Sequence, residues 1–558
     1  MTGGPLSNAA SWRPLIPELI LAVGTIVVLA VGLGRRAASR GWLLALALAT
    51  LLGAVAATPL TMEPSIPVGQ EAPGAVRGLA LFGGLLARDG FADFFKLLFG
   101  AAGAVVVLSS FASREGRGDE PGERALGGVL APAASIASPT AGPPSSGEPR
   151  RGDRDAAEYA ALLLSVVLGA DLMAAATDLL TAYLALEFVS LLSYVLAAFG
   201  RRSRRSAEAG LKYAIYGGVA TGAMLYGFSW LYGLAGTTEL AGVRAALASA
   251  PPLVSGTILA LCLAGLGFKM AVVPFHSWCP DVYEGAPTPV AAFFSVVPKA
   301  AGFALAFRFL VGSPEATLSV AGADAGAALV TGQGPATVVA SVLAVIAMVS
   351  MTLGNLAAIP QRKLKRLLAY SSIAQAGNLA MALAVGSPAA ERALLVYLGI
   401  YLFMNLAAFL AVTALVRAGE GDTLDDLAGL GGRAPLLSLG LTLAVLSLAG
   451  LPPLGGFVAK FAMFSATIER GAAGGGPIFY ALAAAGVANT VVSVYYYARV
   501  AKVIYFDRPR AGAPARLPVP LSHAALVGIT AAGVVALGIY APPLTALAEK
   551  SALLWPGP

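Results

Sequence analysis

About fourteen windows, each long and apolar enough to cross a bilayer as a helix of roughly 20 residues, divide this 558-residue chain, near 14–34, 42–58, 92–112, 158–176, 178–200, 211–235, 255–275, 286–310, 337–358, 365–385, 393–416, 437–467, 478–504 and 521–546. Such windows leave few folds available. In hydrocarbon every backbone amide needs an internal partner, so spans are helices or closed barrels, and the alternating pattern of barrel strands is absent from the sequence. With 57% hydrophobic and 12% charged residues, the chain carries about half the charge of a soluble domain. It reads as an all-α polytopic membrane protein of about 14 transmembrane helices.

The few charges inside the windows are therefore informative. Lys212, Lys269, Lys299 and Lys460 each lie in an apolar stretch, and Glu187 lies in another. A charged side chain at mid-membrane costs roughly 2.5 to 3.5 kcal/mol on insertion scales, and such groups usually line an ion path. Desolvation favours a neutral amine and an adjacent carboxylate favours the ammonium. At about 4 Å and an effective dielectric near 20, that attraction is worth roughly 4 kcal/mol, so making or breaking one Glu–Lys contact can load or unload a proton. Lys212 has a second reading, because it is close to the basic loop at 201–205 and can snorkel to the interface. Asp178 is expected in solvent, His276 and Trp278 in an interfacial loop with a relay role as the alternative, and Tyr495, Tyr496 and Tyr497 in packing and at the interface rather than at a quinone site. Pro298 reads equally as a simple kink or as a device that frees a carbonyl for Lys299.

Two cysteines, Cys262 and Cys279, are too few for an iron–sulfur cluster held by four thiolates, and no glycine-rich nucleotide loop follows a strand pattern. No cofactor, metal, nucleic acid or direct NADH binding is expected, nor a cleavable signal peptide. The formal charge of +7 is distributed in alternate loops: Arg35, Arg36 and Arg40; Arg201 to Arg205; Arg362 to Arg366; Lys502 to Arg516. The positive-inside rule makes these loops cytoplasmic and sets both termini on the outer side. Residues 115–156 are rich in Gly, Pro, Ser and Ala, a composition that reads as a disordered cytoplasmic insertion, with a docking element as the alternative.

Two windows contain deliberate interruptions. The seventh runs through Gly265, Gly267, Lys269 and Pro274, and the twelfth through Gly450, Pro452, Pro453 and Lys460. Paired broken segments in corresponding positions of two halves point to inverted repeats around a midplane site. The expected organisation is helices 1–3 in 1–114, the insertion at 115–156, a five-helix repeat in 157–311, a second in 337–505 and helix 14 in 521–547, with helices 7 and 12 interrupted. The match between halves is incomplete, since Gln375 and Asn378 are the nearest polar groups where the second unit lacks a counterpart of Glu187.

The run from Phe268 through Pro289, FKMAVVPFHSWCPDVYEGAPTP, followed by VPKAAG at 297–302, resembles subunit N of the proton-pumping NADH:quinone oxidoreductases, respiratory complex I. AEAGLKY at 207–213, YGLAGTT at 232–238, QRKLKRLLAYSS at 361–372 and LAGLPPLGGF at 448–457 support the likeness, which extends from the fourth to the thirteenth window and weakens in the first three. The stretch around Asp281 and Glu284 is specific to subunit N, whereas the lysine helices are shared with paralogues and with multisubunit cation/proton antiporters. The resemblance implies a proton relay in which Glu187 and Lys269 are the input pair, Lys299 is central and Lys460 lies near the outlet, with Lys212 a further lysine of less defined role. It also implies a non-redox subunit of a translocase in the bacterial inner membrane, surrounded by lipid and by other membrane subunits of complex I. The rival readings are a component of a multisubunit Na+/H+ antiporter or of a related membrane-bound hydrogenase complex, and a small-solute secondary transporter.

Overall fold

The computed structural model describes residues 12–34, 39–61, 79–111, 151–201, 203–311 and 335–553. The described residues are helical almost throughout: α1 (Ile16–Leu33), α2 (Arg40–Thr61), α3 (Gly90–Phe111), α4 (Arg151–Ala175), α5 (Leu179–Ala197), α6 (Arg204–Ala235), α7 (Leu240–Ser249), α8 (Pro252–Met270), α9 (Trp278–Gly285), α10 (Thr288–Leu310), α11 (Pro335–Ala358), α12 (Leu364–Val385), α13 (Pro388–Arg417), α14 (Pro435–Ala449), α15 (Gly455–Arg470), α16 (Pro477–Phe506), α17 (Leu521–Ile539) and α18 (Pro542–Ser551). Among the described residues, 12 helices are long and apolar enough to cross a membrane. The 32-residue α6 falls outside that set, as do α14 and α15, the two halves of the twelfth window.

Several boundaries depart from expectation. The fourth helix begins at Arg151, inside the stretch read as an insertion up to 156, while residues 112–150 lie outside the described residues. The fourth and fifth windows, nearly continuous in sequence, are separated at Asp178, which is buried rather than solvated: its carboxylate caps α5 by accepting from the amides of Leu180 at 2.8 Å and Thr181 at 3.3 Å. A short antiparallel hairpin, β1 (Leu79–Leu81) and β2 (Leu86–Arg88), was not legible in the sequence. It sits beside the end of α4, with Leu86 bridged to Ala176 and the Thr177 hydroxyl donating to the Gly84 carbonyl at 2.8 Å.

The interruptions fall where Gly and Pro suggested. Helix α8 ends with Ala271 in the left-handed region, φ 58°, and α14 ends with Gly450, φ 84°. At the first break the indole of Trp278, at the start of α9, donates to the Phe268 carbonyl at 3.1 Å and stacks on Tyr213 with ring centroids 4.3 Å apart. The Phe268 carbonyl, which also accepts from the Ala271 amide at 3.1 Å, is thus satisfied inside the protein, as a buried helix end requires. Trp278 is buried, not interfacial, and His276 is half-buried in the linker before it.

Packing sorts the helices by position. Helix α10 is buried along its whole apolar window, and α12 and α13 nearly so, as expected of helices that are apolar all round. Leu184, Val219, Leu253, Phe461 and Val491 face outward from the more peripheral helices. The bundle interior is therefore α10, α12 and α13, with α8, α14 and α15 packed against them.

Candidate functional site

Three of the expected lysines end inside this interior. Lys269, Lys299 and Lys460 are 1%, 2% and 4% exposed, so each ammonium depends on protein groups for hydrogen bonds. Lys269, two residues before the break, donates to the Ser190 hydroxyl of α5 at 2.9 Å. Lys299 on α10 donates to the Ser372 hydroxyl and, at 3.1 Å, to the Ser372 carbonyl on α12. Its partners belong to the neighbouring helix and not to a carbonyl freed by Pro298. Lys460, on α15 after the second break, donates to the Ala449 carbonyl at the end of α14, 3.1 Å away.

Glu187 is half-buried on α5, one turn from Ser190, and its Oε1 is buried without a hydrogen-bond partner. It makes no ion pair with Lys269 within 4.0 Å; Ser190 takes the ammonium instead. The expected input pair is thus adjacent and open. Helix α10 comes close to Lys269 through Gly302, where an added Cβ would lie 3.1 Å from the lysine Cβ. Because Gly302 is one turn from Lys299, the two lysines are carried on helices in direct contact.

From Lys299 onward the structure contains polar groups that the sequence reading did not connect. The Tyr401 phenol donates to the Ser372 hydroxyl at 3.0 Å, and the adjacent Ser371 is hydrogen-bonded to Tyr497. The Gln375 amide donates to the Leu448 carbonyl at 2.9 Å and lies 3.5 Å from the Tyr497 phenol, while Tyr397 donates to the Gln375 carbonyl oxygen. Leu448 precedes Ala449, the acceptor of Lys460. Buried hydroxyls and amides therefore occupy the space between Lys299 and Lys460 in two hydrogen-bonded sets, one at Ser372 and one from Ser371 to the Leu448 carbonyl, which meet through neighbouring residues of the chain. Tyr496 and Tyr497 are fully buried and, beyond the packing expected of the run, hydrogen-bonded to Asn355 and Ser371; Tyr495 is 62% exposed. A triple tyrosine gives no indication of which phenol turns inward, and the helical angle of 100° per residue decides it.

Lys212 does not join this row. It pairs with Glu208 at 2.8 Å and Asp281 at 2.7 Å in an accessible network where Arg366 contacts Asp281 at 2.6 Å and Glu284 at 3.0 Å, and Lys363 also meets Glu284. This network joins α6, α9 and α12. The Asp281 and Glu284 carboxyls are held below their ordinary values: burial acts in the opposite direction, but hydrogen bonds and charge from Lys212 and Arg366 on Asp281, and from Lys363 and Arg366 on Glu284, outweigh it. Among the described residues no group of three or more His, Cys, Asp or Glu side chains converges to hold a metal ion.

Two broken helices around buried lysines, set in a bundle of this kind, define an antiporter-like membrane protein. The family described as NADH:quinone oxidoreductase/Mrp antiporter, TM, matches residues 176–485. NADH-quinone oxidoreductase subunit N from Anaeromyxobacter sp. (strain Fw109-5) is 40% identical over 557 residues, covering 97% of this chain and 96% of that protein. Its counterpart from Parvibaculum lavamentivorans is 36% identical, covering 98% of each. A chain of respiratory complex I from Thermus thermophilus, solved with bound aureothin, superposes with a TM-score of 0.70 at 30% identity, covering 96% of this chain and 100% of that one. The Mrp complex from a Dietzia species shares the fold, with a TM-score of 0.74 at 20% identity over 98% of each chain. The chain belongs to the NADH-quinone oxidoreductase subunit N family.

Proposed function

We propose that this chain is a proton-translocating membrane subunit of NADH:quinone oxidoreductase, passing protons along Glu187, Lys269, Lys299 and Lys460 while quinone is reduced elsewhere in the complex. The observation that carries the reading is the succession of buried polar groups between the two lysines: Ser372 at Lys299, its chain neighbour Ser371 with Tyr497 and Gln375, and the Leu448 carbonyl beside Ala449, the acceptor of Lys460. Amines that exchange protons, spaced by hydroxyls and amides that both donate and accept, have the chemistry of a proton path. Ser190 holds Lys269 in a resting position, one turn of α5 from Glu187. Closing the contact between Lys269 and Glu187 favours the ammonium and opening it favours release.

In this reading Lys212 holds α6 to α9 through Asp281 and is not a carrier. The 12 apolar helices together with α6 and the broken α14/α15 unit make fourteen crossings, arranged as two inverted five-helix repeats with both termini outside. The protein resides in the bacterial inner membrane among other membrane subunits and lipid, and binds neither NADH nor a redox group itself.

The test is quinone reduction and proton uptake, measured together in membranes carrying Lys269→Ala, Lys269→Arg or Glu187→Gln. All three are expected to lower both rates, because a tightly coupled pump slows electron transfer when a proton step is blocked, and because guanidinium does not deprotonate in proteins. Unchanged rates in Lys269→Ala would refute the path. An intact Lys269→Arg variant would make the residue a fixed charge. Proton exchange without any dependence on quinone reduction would favour a plain antiporter.

A further inference from the structure

A second set of buried ionisable groups lies in the first four helices, away from the lysine row. Glu18 on α1, Asp93 and Lys96 on α3 and Asp171 on α4 are each no more than 6% exposed. Lys96 lies between two carboxylates, 2.7 Å from Glu18 and 3.5 Å from Asp93. Arg88, at the end of β2, reaches Asp93 at 3.5 Å and is also held by the Thr61 hydroxyl at 2.7 Å and the Thr58 carbonyl at 3.3 Å. Asp171 is 2% exposed, its Oδ1 is buried without a hydrogen-bond partner, and the ionisable groups that face it are Glu18, Lys96 and Asp93. Nearby, Asp89 is paired with Arg308 of α10 at 2.6 Å, and Arg244 of α7 donates to the Arg308 carbonyl at 2.8 Å.

Counting charge at this cluster leaves one too many negatives. Glu18, Asp93 and Asp171 have Lys96 and Arg88 as their cations, and Asp89, which also faces Asp93, is matched by Arg308, so full ionisation would leave a single uncompensated buried carboxylate, which in low dielectric neutralises itself by taking a proton. A metal ion is a poor substitute, because the carboxylates do not converge on one point. We propose that Asp171, together with Glu18, Asp93 and Lys96, is a second proton-binding site, holding one proton that exchanges with water at the end of the bundle away from the basic loops. That end is defined by the chain itself: α3 starts at Gly90 beside the hairpin and finishes at Phe111, with the Ser109 and Ser110 carbonyls of its last turn receiving Arg417 and Arg40 at the basic end.

The site is joined to the lysine row by α10, which carries Lys299 midway and Arg308 nine residues later, about 13 Å along the helix. Its use as an outlet group rests on the proton path proposed above; its occupancy does not. Lys96, touching Glu18 directly and Asp93 more distantly, supplies the cation whose removal changes the count.

The experiment is infrared spectroscopy of the assembled complex in membranes, in water and in deuterium oxide. Wild type is expected to show a buried carboxylic-acid carbonyl band that shifts on deuteration, and Asp171→Asn, which keeps the shape of the side chain, is expected to lose it. Lys96→Met is expected to raise the band about twofold, since three carboxylates would then face one cation. Lys269→Ala tests the lysine row and leaves this band in place, so the two proposals fail separately. An unchanged band in Asp171→Asn, or no increase in Lys96→Met, overturns the site. Should Asp171→Asn fail to assemble, the Lys96→Met arm decides.

Discussion

Lys460 donates to the carbonyl of Ala449 across the break in its own segment, 3.1 Å away, so the second half-helix satisfies the exposed end of the first. Helix C-termini carry partial negative charge on carbonyls without helical partners, which makes this a natural seat for an ammonium. Lys269 occupies the opposite position, on the half-helix before its break, and turns to a hydroxyl of α5.

Gly450 holds the Lys460 seat open. Its φ of 84° suits glycine, and an added Cβ would lie 2.8 Å from the lysine Cδ. Gly450→Ala is expected to destabilise the protein by about 1 kcal/mol or more and to lower proton uptake by displacing the ammonium. Thermal unfolding of the purified complex and proton uptake in vesicles check both effects; normal values for each would show that the seat tolerates a side chain.

Ser190 is the resting partner of Lys269, and a hydrogen bond to a charged group contributes about 1.5 to 3 kcal/mol. Ser190→Ala is expected to release the ammonium from α5 and lower the coupled rate, whereas Ser190→Thr retains the hydroxyl and most of the activity. Rates of quinone reduction for the two variants side by side provide the comparison. Equal loss in both would assign the effect to packing.

The membrane class, the lysines and the two breaks were legible because each is a local contradiction in an apolar run: a charge, or a Gly-Pro cluster, where hydrocarbon tolerates neither cheaply. The connections between them were not. Ser371, Ser372, Tyr397 and Tyr497 are ordinary residues for a membrane helix, and only the approach of α12, α13 and α16 turns them into a row. The Glu18, Asp93, Lys96 and Asp171 cluster was hidden for another reason. Its members lie near helix ends, where single charges read as solvated, and they meet only after α1, α3 and α4 pack.

The accessible network of Asp281 and Glu284 provides a pH signature. Both carboxyls sit below their ordinary values of 3.8 and 4.5. A carboxylate depressed in the folded state contributes stability that is present above its unfolded value and is lost as pH falls through the folded one. Wild type is therefore expected to lose thermal stability progressively below about pH 4.5, and the Asp281→Asn, Glu284→Gln pair to show a flatter dependence over the same window. Parallel curves for the two proteins would mean that the network adds nothing to stability.

Gln375 offers the sharpest test of the row between Lys299 and Lys460. Its amide donates to the Leu448 carbonyl while its oxygen accepts from Tyr397, so it is a donor on one side and an acceptor on the other. Gln375→Leu removes both functions at similar volume and leaves a buried carbonyl and a buried phenol unpaired, costing about 1 to 3 kcal/mol for each. Gln375→Glu preserves the acceptor but loses the amide donor. The leucine variant is expected to lose proton uptake and coupled quinone reduction, with the glutamate variant intermediate, and the exposed Tyr495→Phe is expected to behave as wild type. The measurement is the rate of proton uptake and the rate of quinone reduction, each compared with wild type, in membranes of each variant. Wild-type uptake in Gln375→Leu would place the proton route elsewhere and leave this row as structure alone.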